Sequence, residues 1–170
     1  MLGLYEDFPE NIHRIDNFKS TLSNQKFQQK LVQTLHDVNR KPFGLEEISH
    51  PSVHECTVIF EVGIAEAKSF NYIDDEEAKR VLKAIRKQAF QVLDFFVAVR
   101  YYKGTAPKKT PLRFDYYMVR FVFRASNSVE LQVFHERGPR YISPEGIVNF
   151  VGKEVNGGST RKILKKVEPP

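Results

Sequence analysis

Residues 112–137, LRFDYYMVRFVFRASNSVELQVFHER, decide the fold prediction because they combine two strand-like runs with a polar connection. The runs 112–124 and 129–137 are rich in the β-branched and aromatic residues that favour strands, and Ala-Ser-Asn-Ser between them favours a turn. These features predict an antiparallel hairpin. We expect a register in which Val122 faces Leu131, and this register leaves apolar side chains on both faces of the hairpin.

A strand upstream of this hairpin is predicted by strict alternation over residues 54–64. Its apolar residues share one face, and they are Cys56, Val58, Phe60, Val62 and Ile64. Because an alternating strand buries one face, we expect these five side chains in the core of a sheet, beneath a helix at residues 75–93. Another strand is expected over residues 95–102, and residues 66–73 either lengthen the first strand or form one of their own.

Helical signals occur in three further segments. Residues 24–40 carry apolar residues at helical spacing and are followed by Pro42, which cannot continue a helix. The helix at 75–93 begins with an Asp-x-x-Glu capping pattern, and its apolar residues form one stripe. The last helix, at 144–156, begins after a serine that can cap it and has proline at its first position.

The first 20 residues allow two interpretations. A capping box at residues 7–10 favours a short helix through Ile12 and Ile15, and a strand over residues 12–18 is the alternative. Runs of strands with helices between them are typical of an α+β domain, here with an antiparallel or mixed sheet of about four to five strands and helices packed mainly on one face. We expect residues 1–156 to form this single domain and residues 157–170 a basic C-terminal tail, with an added edge strand as the alternative.

The composition is that of an ordinary globular protein, with 41% of the 170 residues hydrophobic and 28% charged. The single cysteine, Cys56, cannot form an intrachain disulfide, which favours a reducing compartment. The first residues lack the basic start of a signal peptide, and the longest uncharged apolar stretch, residues 95–99, is too short to span a bilayer. We therefore expect a cytoplasmic protein without a membrane partner.

Positive charge is concentrated in one half of the chain. Residues 97–170 contain fourteen Lys and Arg against six Asp and Glu, a net charge of +8, whereas residues 1–96 contain twelve against fifteen, a net charge of −3. The basic half also holds the densest aromatic run, residues 113–124. Cations interleaved with aromatic rings are typical of surfaces that bind nucleic acid, and an acidic protein or a second copy of the chain is the alternative partner.

The open end of the hairpin is the first candidate for an anion site. Two arginines flank a Gly-Pro turn there, a third approaches from the partner strand, and a helix N-terminus follows with free N–H groups. Two lysines in the loop before the hairpin would add phosphate contacts. The residues of this candidate site are Arg113, Arg137, Arg140, Ser143, Lys108 and Lys109. The alternative is that these charges pair locally, Arg113 with Glu136 and Arg137 with Asp115.

A second candidate lies on the helix at 75–93. In that helix Phe90 projects between the cations Lys83, Arg86 and Lys87. An exposed ring bordered by cations can stack on a base, whereas burial beneath a loop or a second subunit is the alternative.

Metal binding and catalysis have little support in the sequence. His50, His54 and Cys56 are zinc-ligand types, but their spacing matches no common zinc motif. Glu55 and Glu61 are six residues apart on one strand, about 20 Å, too far to act as a carboxylate pair. No cofactor is therefore expected.

The charge and aromatic pattern together favour a non-enzymatic protein that binds nucleic acid through its basic half. A protein-interaction module or a homo-oligomer that uses the same surface is the alternative. The third hypothesis is an enzyme acting on a small phosphorylated or carboxylated ligand at Arg137 and Arg140, with His135 as the acid–base group.

Overall fold

The computed structural model describes residues 1–49, 55–104, 110–157 and 162–167. Within these residues an antiparallel sheet of eight strands is combined with three α-helices. The strands are β1 (Arg14–Ser20), β2 (Pro42–Gly44), β3 (Cys56–Glu66), β4 (Ser69–Tyr72), β5 (Val92–Lys103), β6 (Thr110–Phe123), β7 (Ser128–Arg137) and β8 (Leu164–Lys166). The helices are α1 (Asn24–Val38), α2 (Asp75–Lys87) and α3 (Pro144–Asn156). The α+β class is confirmed, but the predicted four to five strands are too few.

The strands lie in the order β2–β3–β5–β6–β7–β1–β8, and β4 pairs with β3 beside this path. Every strand pairing is antiparallel. The strands beyond the predicted number include β2 and β8, which have three residues each. Three residues are too few for alternation to be read from sequence, so such strands are defined by the backbone hydrogen bonds of their neighbours.

The N-terminal segment forms strand β1, so the helix predicted through Ile12 and Ile15 is wrong and the strand alternative is correct. One edge of β1 pairs with β7 and the other with β8. Asp16, Phe18 and Ser20 are buried, and the residues between them are exposed. A strand with neighbours on both edges has its backbone groups satisfied on both sides, which outweighs a local capping signal.

The core lies between one face of the sheet and the helices. All five predicted residues of β3 are buried, each with 4% exposure or less, so the strand phase is confirmed. The ring of Phe60 stacks on Phe150 of α3 at 4.5 Å, and Phe27 of α1 lies 6.1 Å from Phe123 on the same face. The helix above Phe60 is therefore α3, whereas α2 packs against α1.

Helix α2 ends at Lys87, six residues before the predicted end. Gln28 of α1 holds the backbone of Phe90 from both sides, accepting from its N–H at 2.8 Å and donating to its carbonyl at 2.7 Å. From Val92 onward the chain pairs with β6. Phe90 therefore does not project between the cations of α2 but packs against the core. The apolar residues after Lys87 belong to a turn and to β5. Their spacing happens to match that of a helix, which is why the predicted helix was too long.

From Tyr117 to Phe123 the register of the β6–β7 hairpin differs by one residue from the predicted one, and a bulge beside Tyr116 restores its predicted pairing with Arg137. Val122 pairs with Glu130 rather than Leu131, and Phe121 pairs with Leu131. The turn is a short 3₁₀ segment, Ala125–Asn127, closed by a hydrogen bond from the Arg124 N–H to the Ser128 carbonyl at 2.9 Å. A one-residue change exchanges the faces of the paired side chains. The buried apolar residues of both strands consequently share the helix side, namely Val119, Phe121, Phe123, Val129, Leu131 and Val133. Within the described residues, no helix packs on the opposite face.

Part of the predicted C-terminal tail belongs to the sheet. Strand β8 pairs with β1, and the side-chain amide of Asn156 accepts from the Leu164 N–H at 2.9 Å and donates to its carbonyl at 3.0 Å. This two-point contact fixes the end of α3 against the last strand. None of the three helices in the described part of the chain is long and apolar enough to cross a membrane.

Candidate functional site

Asp115 organises the end of the hairpin where the anion site was predicted. Its carboxylate has 0% exposure and accepts four hydrogen bonds. The donors are the Tyr101 hydroxyl at 2.5 Å, the Arg140 N–H at 2.7 Å, the His135 Nε2 at 2.8 Å and the Tyr141 N–H at 3.0 Å. A single buried carboxylate on β6 therefore joins this strand to β5, to β7 and to the loop before α3.

Two buried tyrosines complete this network as hydrogen-bond donors. Burial, together with the nearby Tyr117 and the Asp115 carboxylate, raises the pKa of Tyr101 far above its usual value. Burial and the charge of Asp115 also raise the pKa of Tyr117, whose hydroxyl donates to the Ile142 carbonyl. Both phenols therefore stay protonated at neutral pH, as donation requires.

Gly138 is required by this arrangement. Its φ of +117° is disfavoured for any residue with a side chain, and an added Cβ would collide with the backbone of Phe114 and the carboxylate of Asp115. We expect Gly138→Ala to lower the free energy of unfolding by at least about 2 kcal/mol in chemical denaturation. The matched control is Gly152→Ala in α3, where no atom lies near the added Cβ and alanine should be neutral or stabilising. Equal effects of the two changes would contradict this requirement.

Of the three predicted arginines, Arg137 has its side chain held by a ring and a carboxylate. The Arg137 guanidinium lies 4.6 Å from the Tyr116 ring centroid and 3.5 Å from a Glu136 oxygen. The backbone N–H of Arg140 donates to Asp115. The pKa of His13 is lowered, first by the burial of its ring and then by the positive charge of Arg140. Arg113 is exposed on β6. The hydroxyl of Ser143 caps α3 by accepting from the Gly146 N–H at 3.0 Å.

The local pairs proposed as the alternative are also different from those seen. Glu136 pairs with Arg137, and Asp115 is bonded to His135. The ring of His135 is 11% exposed and its Nε2 atom is committed to Asp115. Among the described residues, Asp115 at this end of the hairpin holds the loop before α3, and His135 is part of that network.

The remaining predicted residues separate into two groups. Lys83, Arg86 and Lys87 are exposed on α2, whereas Phe90 lies beyond the end of this helix and packs against the core. Lys108, Lys109, His50 and His54 lie outside the described residues. The described ranges contain no cluster of three or more potential metal ligands. Burial raises the pKa of the Cys56 thiol, which therefore stays neutral in the core.

The face of the sheet opposite the helices carries a row of aromatic rings that crosses three strands. We call this the aromatic row: Phe70 of β4, Phe96 of β5, and Tyr116 and Phe114 of β6. Successive ring centroids are 5.3, 5.7 and 6.3 Å apart. Phe114, at the far end, is 41% exposed, and the other three rings are partly exposed. Of the four rings, Phe114 presents the largest exposed fraction to a partner.

Two arginines lie on rings of the aromatic row. Arg100 is 5.5 Å from the Phe114 centroid, and Arg137 is 4.6 Å from the Tyr116 centroid. Each is also fixed by a carboxylate, Arg100 by Glu61 at 2.8 Å and Arg137 by Glu136 at 3.5 Å. Cation–π contact and ion pairing orient the guanidinium groups in advance, which reduces the entropy lost when they contact a ligand.

The N-terminal segment covers the other end of this face. Tyr5 lies 4.7 Å from the first ring of the row, Phe70, and its N–H donates to Asp94 at 2.8 Å. Arg120 binds both oxygens of the buried Asp94, at 2.7 and 2.8 Å, beneath the ring of Phe8. The buried ion pair is thus closed off, and the aromatic row is open at the Phe114 end.

Sequence reasoning missed the aromatic row because its rings come from β4, β5 and β6, and the pairing of these strands was not predicted from the sequence. The signal that could have found it is the alternation of Phe114 and Tyr116 with the buried residues Asp115 and Tyr117 along β6. In the observed register Tyr116 faces Ala98 of β5 and Arg137 of β7, which brings an arginine and a ring onto one face.

Comparison with protein-family models, with curated proteins and with solved structures found no match to this chain. The functional inference therefore rests on the chemistry of its own residues.

Proposed function

We propose that this protein binds single-stranded nucleic acid on the open face of its sheet. The observation that carries the proposal is the aromatic row with Arg100 and Arg137 on its rings. Rings on a rigid antiparallel sheet form a platform on which unpaired bases stack, and the arginines contact phosphates beside them.

Single strands fit this surface better than a duplex. In a duplex each base is covered above and below by its neighbours, so only unpaired bases present a free face to a protein ring. The adjacent rings of the row are 5.3 to 6.3 Å apart, wider than the stacking distance in a helix, which suits a strand with separated bases. The net charge of +8 on residues 97–170, which include Phe114, Tyr116 and both arginines, favours a polyanion.

The proposal is tested with the double variant Phe114→Ala/Tyr116→Ala. Stacking contributes about 1–3 kcal/mol per base, so affinity for a labelled single strand should fall at least about tenfold in fluorescence anisotropy. The double variant should keep its thermal stability because these rings lie outside the helix-side core. The matched control is Tyr72→Ala, since Tyr72 is 38% exposed and carries Arg40 at 5.6 Å but lies outside the aromatic row. No binding by the unaltered protein at low salt, or equal losses in both variants, would refute the proposal.

A face-to-face homodimer is the second candidate for the same surface. Ile15 of β1 projects from this face with 52% exposure, and Phe114 has 41%. Exposed apolar side chains on an uncovered sheet favour self-association. Sedimentation velocity distinguishes the two candidates, because a dimer that is lost in the Phe114→Ala/Tyr116→Ala variant would support self-association.

A further inference from the structure

Four exposed cations gather where the start of α1 meets the end of α2. We call this group the basic helix end: Lys26 of α1 with Lys83, Arg86 and Lys87 of α2. The two helices meet here because the Gln25 side-chain amide donates to the carbonyls of Ile85 and Arg86, both at 2.8 Å. At their other ends His36 contacts Asp75 at 2.7 Å, so the helices are antiparallel.

Charge is segregated along this pair of helices. None of the four cations forms an ion pair with a residue in the described ranges. The acidic residues of the two helices are nearer the opposite end, where Asp75 contacts His36 and Glu77 pairs with Arg80. The basic helix end therefore presents positive charge to solvent without an acidic neighbour to neutralise it.

The position of Lys26 is the most informative feature of this group. Cations in the last turn of α2 are stabilised by the helix dipole, so Arg86 and Lys87 are explained locally. Lys26 lies in the first turn of α1, where the dipole disfavours a cation and where no acidic residue is present. Its charge adds to repulsion among the neighbouring cations, and an anionic partner would relieve both effects.

The residues around the basic helix end favour a phosphate backbone over a membrane. Membrane-surface helices insert an apolar face beside their cations. The large apolar residues most exposed in the described ranges are Met1, Ile15, Tyr72, Phe114 and Val167, and all of these lie outside α1 and α2. Cations without an apolar flank bind phosphates by charge alone.

We infer that the basic helix end is a second contact surface for the sugar-phosphate backbone of the bound nucleic acid. This inference rests on the proposed function. Because α1 and α3 pack on the side of the sheet away from the aromatic row, and α2 packs on α1, one strand can reach both surfaces only if it is long enough to pass around the molecule. Short strands should therefore engage the aromatic row alone, and long strands both surfaces.

The test compares labelled single strands of about six and about 30 nucleotides. The variant is Lys83→Glu/Arg86→Glu/Lys87→Glu, and the matched control is Lys41→Glu/Lys153→Glu/Lys162→Glu, which makes the same change in net charge away from the aromatic row. We expect the first variant to bind the long strand at least about tenfold more weakly than the control does, with a salt dependence reduced by about two to three phosphate contacts. Both variants should bind the short strand alike.

Binding of the short strand, and its loss in Phe114→Ala/Tyr116→Ala, tests the proposed function separately. If the short strand binds but both charge variants lose affinity for the long strand equally, the inference is overturned and the proposed function stands. If neither strand binds the unaltered protein, both fail together. Binding of the unaltered protein to vesicles rich in anionic lipid, lost only in the Lys83→Glu/Arg86→Glu/Lys87→Glu variant while binding to the long strand is kept, would overturn the inference in favour of a membrane surface.

Discussion

Replacing Asp115 with alanine is expected to lower the free energy of unfolding by about 3–5 kcal/mol. The buried carboxylate accepts from Tyr101, His135 and two backbone N–H groups, and alanine would leave these donors without an acceptor in the core. An unsatisfied buried donor costs about 1–3 kcal/mol, and partial entry of water offsets part of the total. Urea denaturation followed by circular dichroism measures the loss.

The matched control for Asp115 is Asp37→Ala. Asp37 is a 67% exposed carboxylate on α1 whose main partner is the Gln33 side chain, and its loss should change stability by less than about 0.5 kcal/mol. Asp115→Asn is a second test. The NH₂ group of asparagine would face hydrogen-bond donors in place of one carboxylate oxygen, so this variant should be more stable than Asp115→Ala but less stable than the unaltered protein. A loss below about 1 kcal/mol in Asp115→Ala would show that the network does not hold the loop before α3.

Phe60→Ala is expected to cost about 3–5 kcal/mol through loss of a buried ring and the cavity left behind. Phe60 is 1% exposed, stacks on Phe150 at 4.5 Å and meets Phe43 edge-on at 5.8 Å. Thermal or chemical denaturation should show the loss directly. Phe114→Ala removes the same ring from the open face and should cost far less, because 41% of Phe114 is already in solvent. Similar costs at the two positions would mean that the open face is covered in solution.

Most signals that act within one turn of chain were predicted correctly, and the capping box at residues 7–10 is the exception. Asp74 caps α2 by accepting from the Glu77 N–H at 2.8 Å, and Ser143 caps α3 at 3.0 Å. The buried alternation of β3 was also correct, since side chains on opposite faces of a strand need only the period of the strand itself. These features depend on neighbours in sequence, so spacing reports them unless pairing with a distant segment outweighs them, as it does for β1.

Predictions that required a distant partner were the ones that failed. The end of α2 was misplaced because Gln28, 62 residues away, holds Phe90 outside the helix. The hairpin register was wrong by one residue because the turn closes between Phe123 and Val129. The aromatic row was also missed for want of a distant contact, because only the pairing of the strands brings Phe70, Phe96 and Tyr116 together.

The sequence by itself determined the α+β class, the starts of the later helices, the buried face of β3 and the basic character of the second half. Only the tertiary structure decided that Asp115 joins four donors, that the aromatic row shares its face with Arg100 and Arg137, and that Lys26 meets the cations of α2. The physical reason is the range of the interactions. Helix caps and strand alternation are set by hydrogen bonds and burial within a few residues, whereas sheet register and helix pairing are set by contacts between segments far apart in the chain.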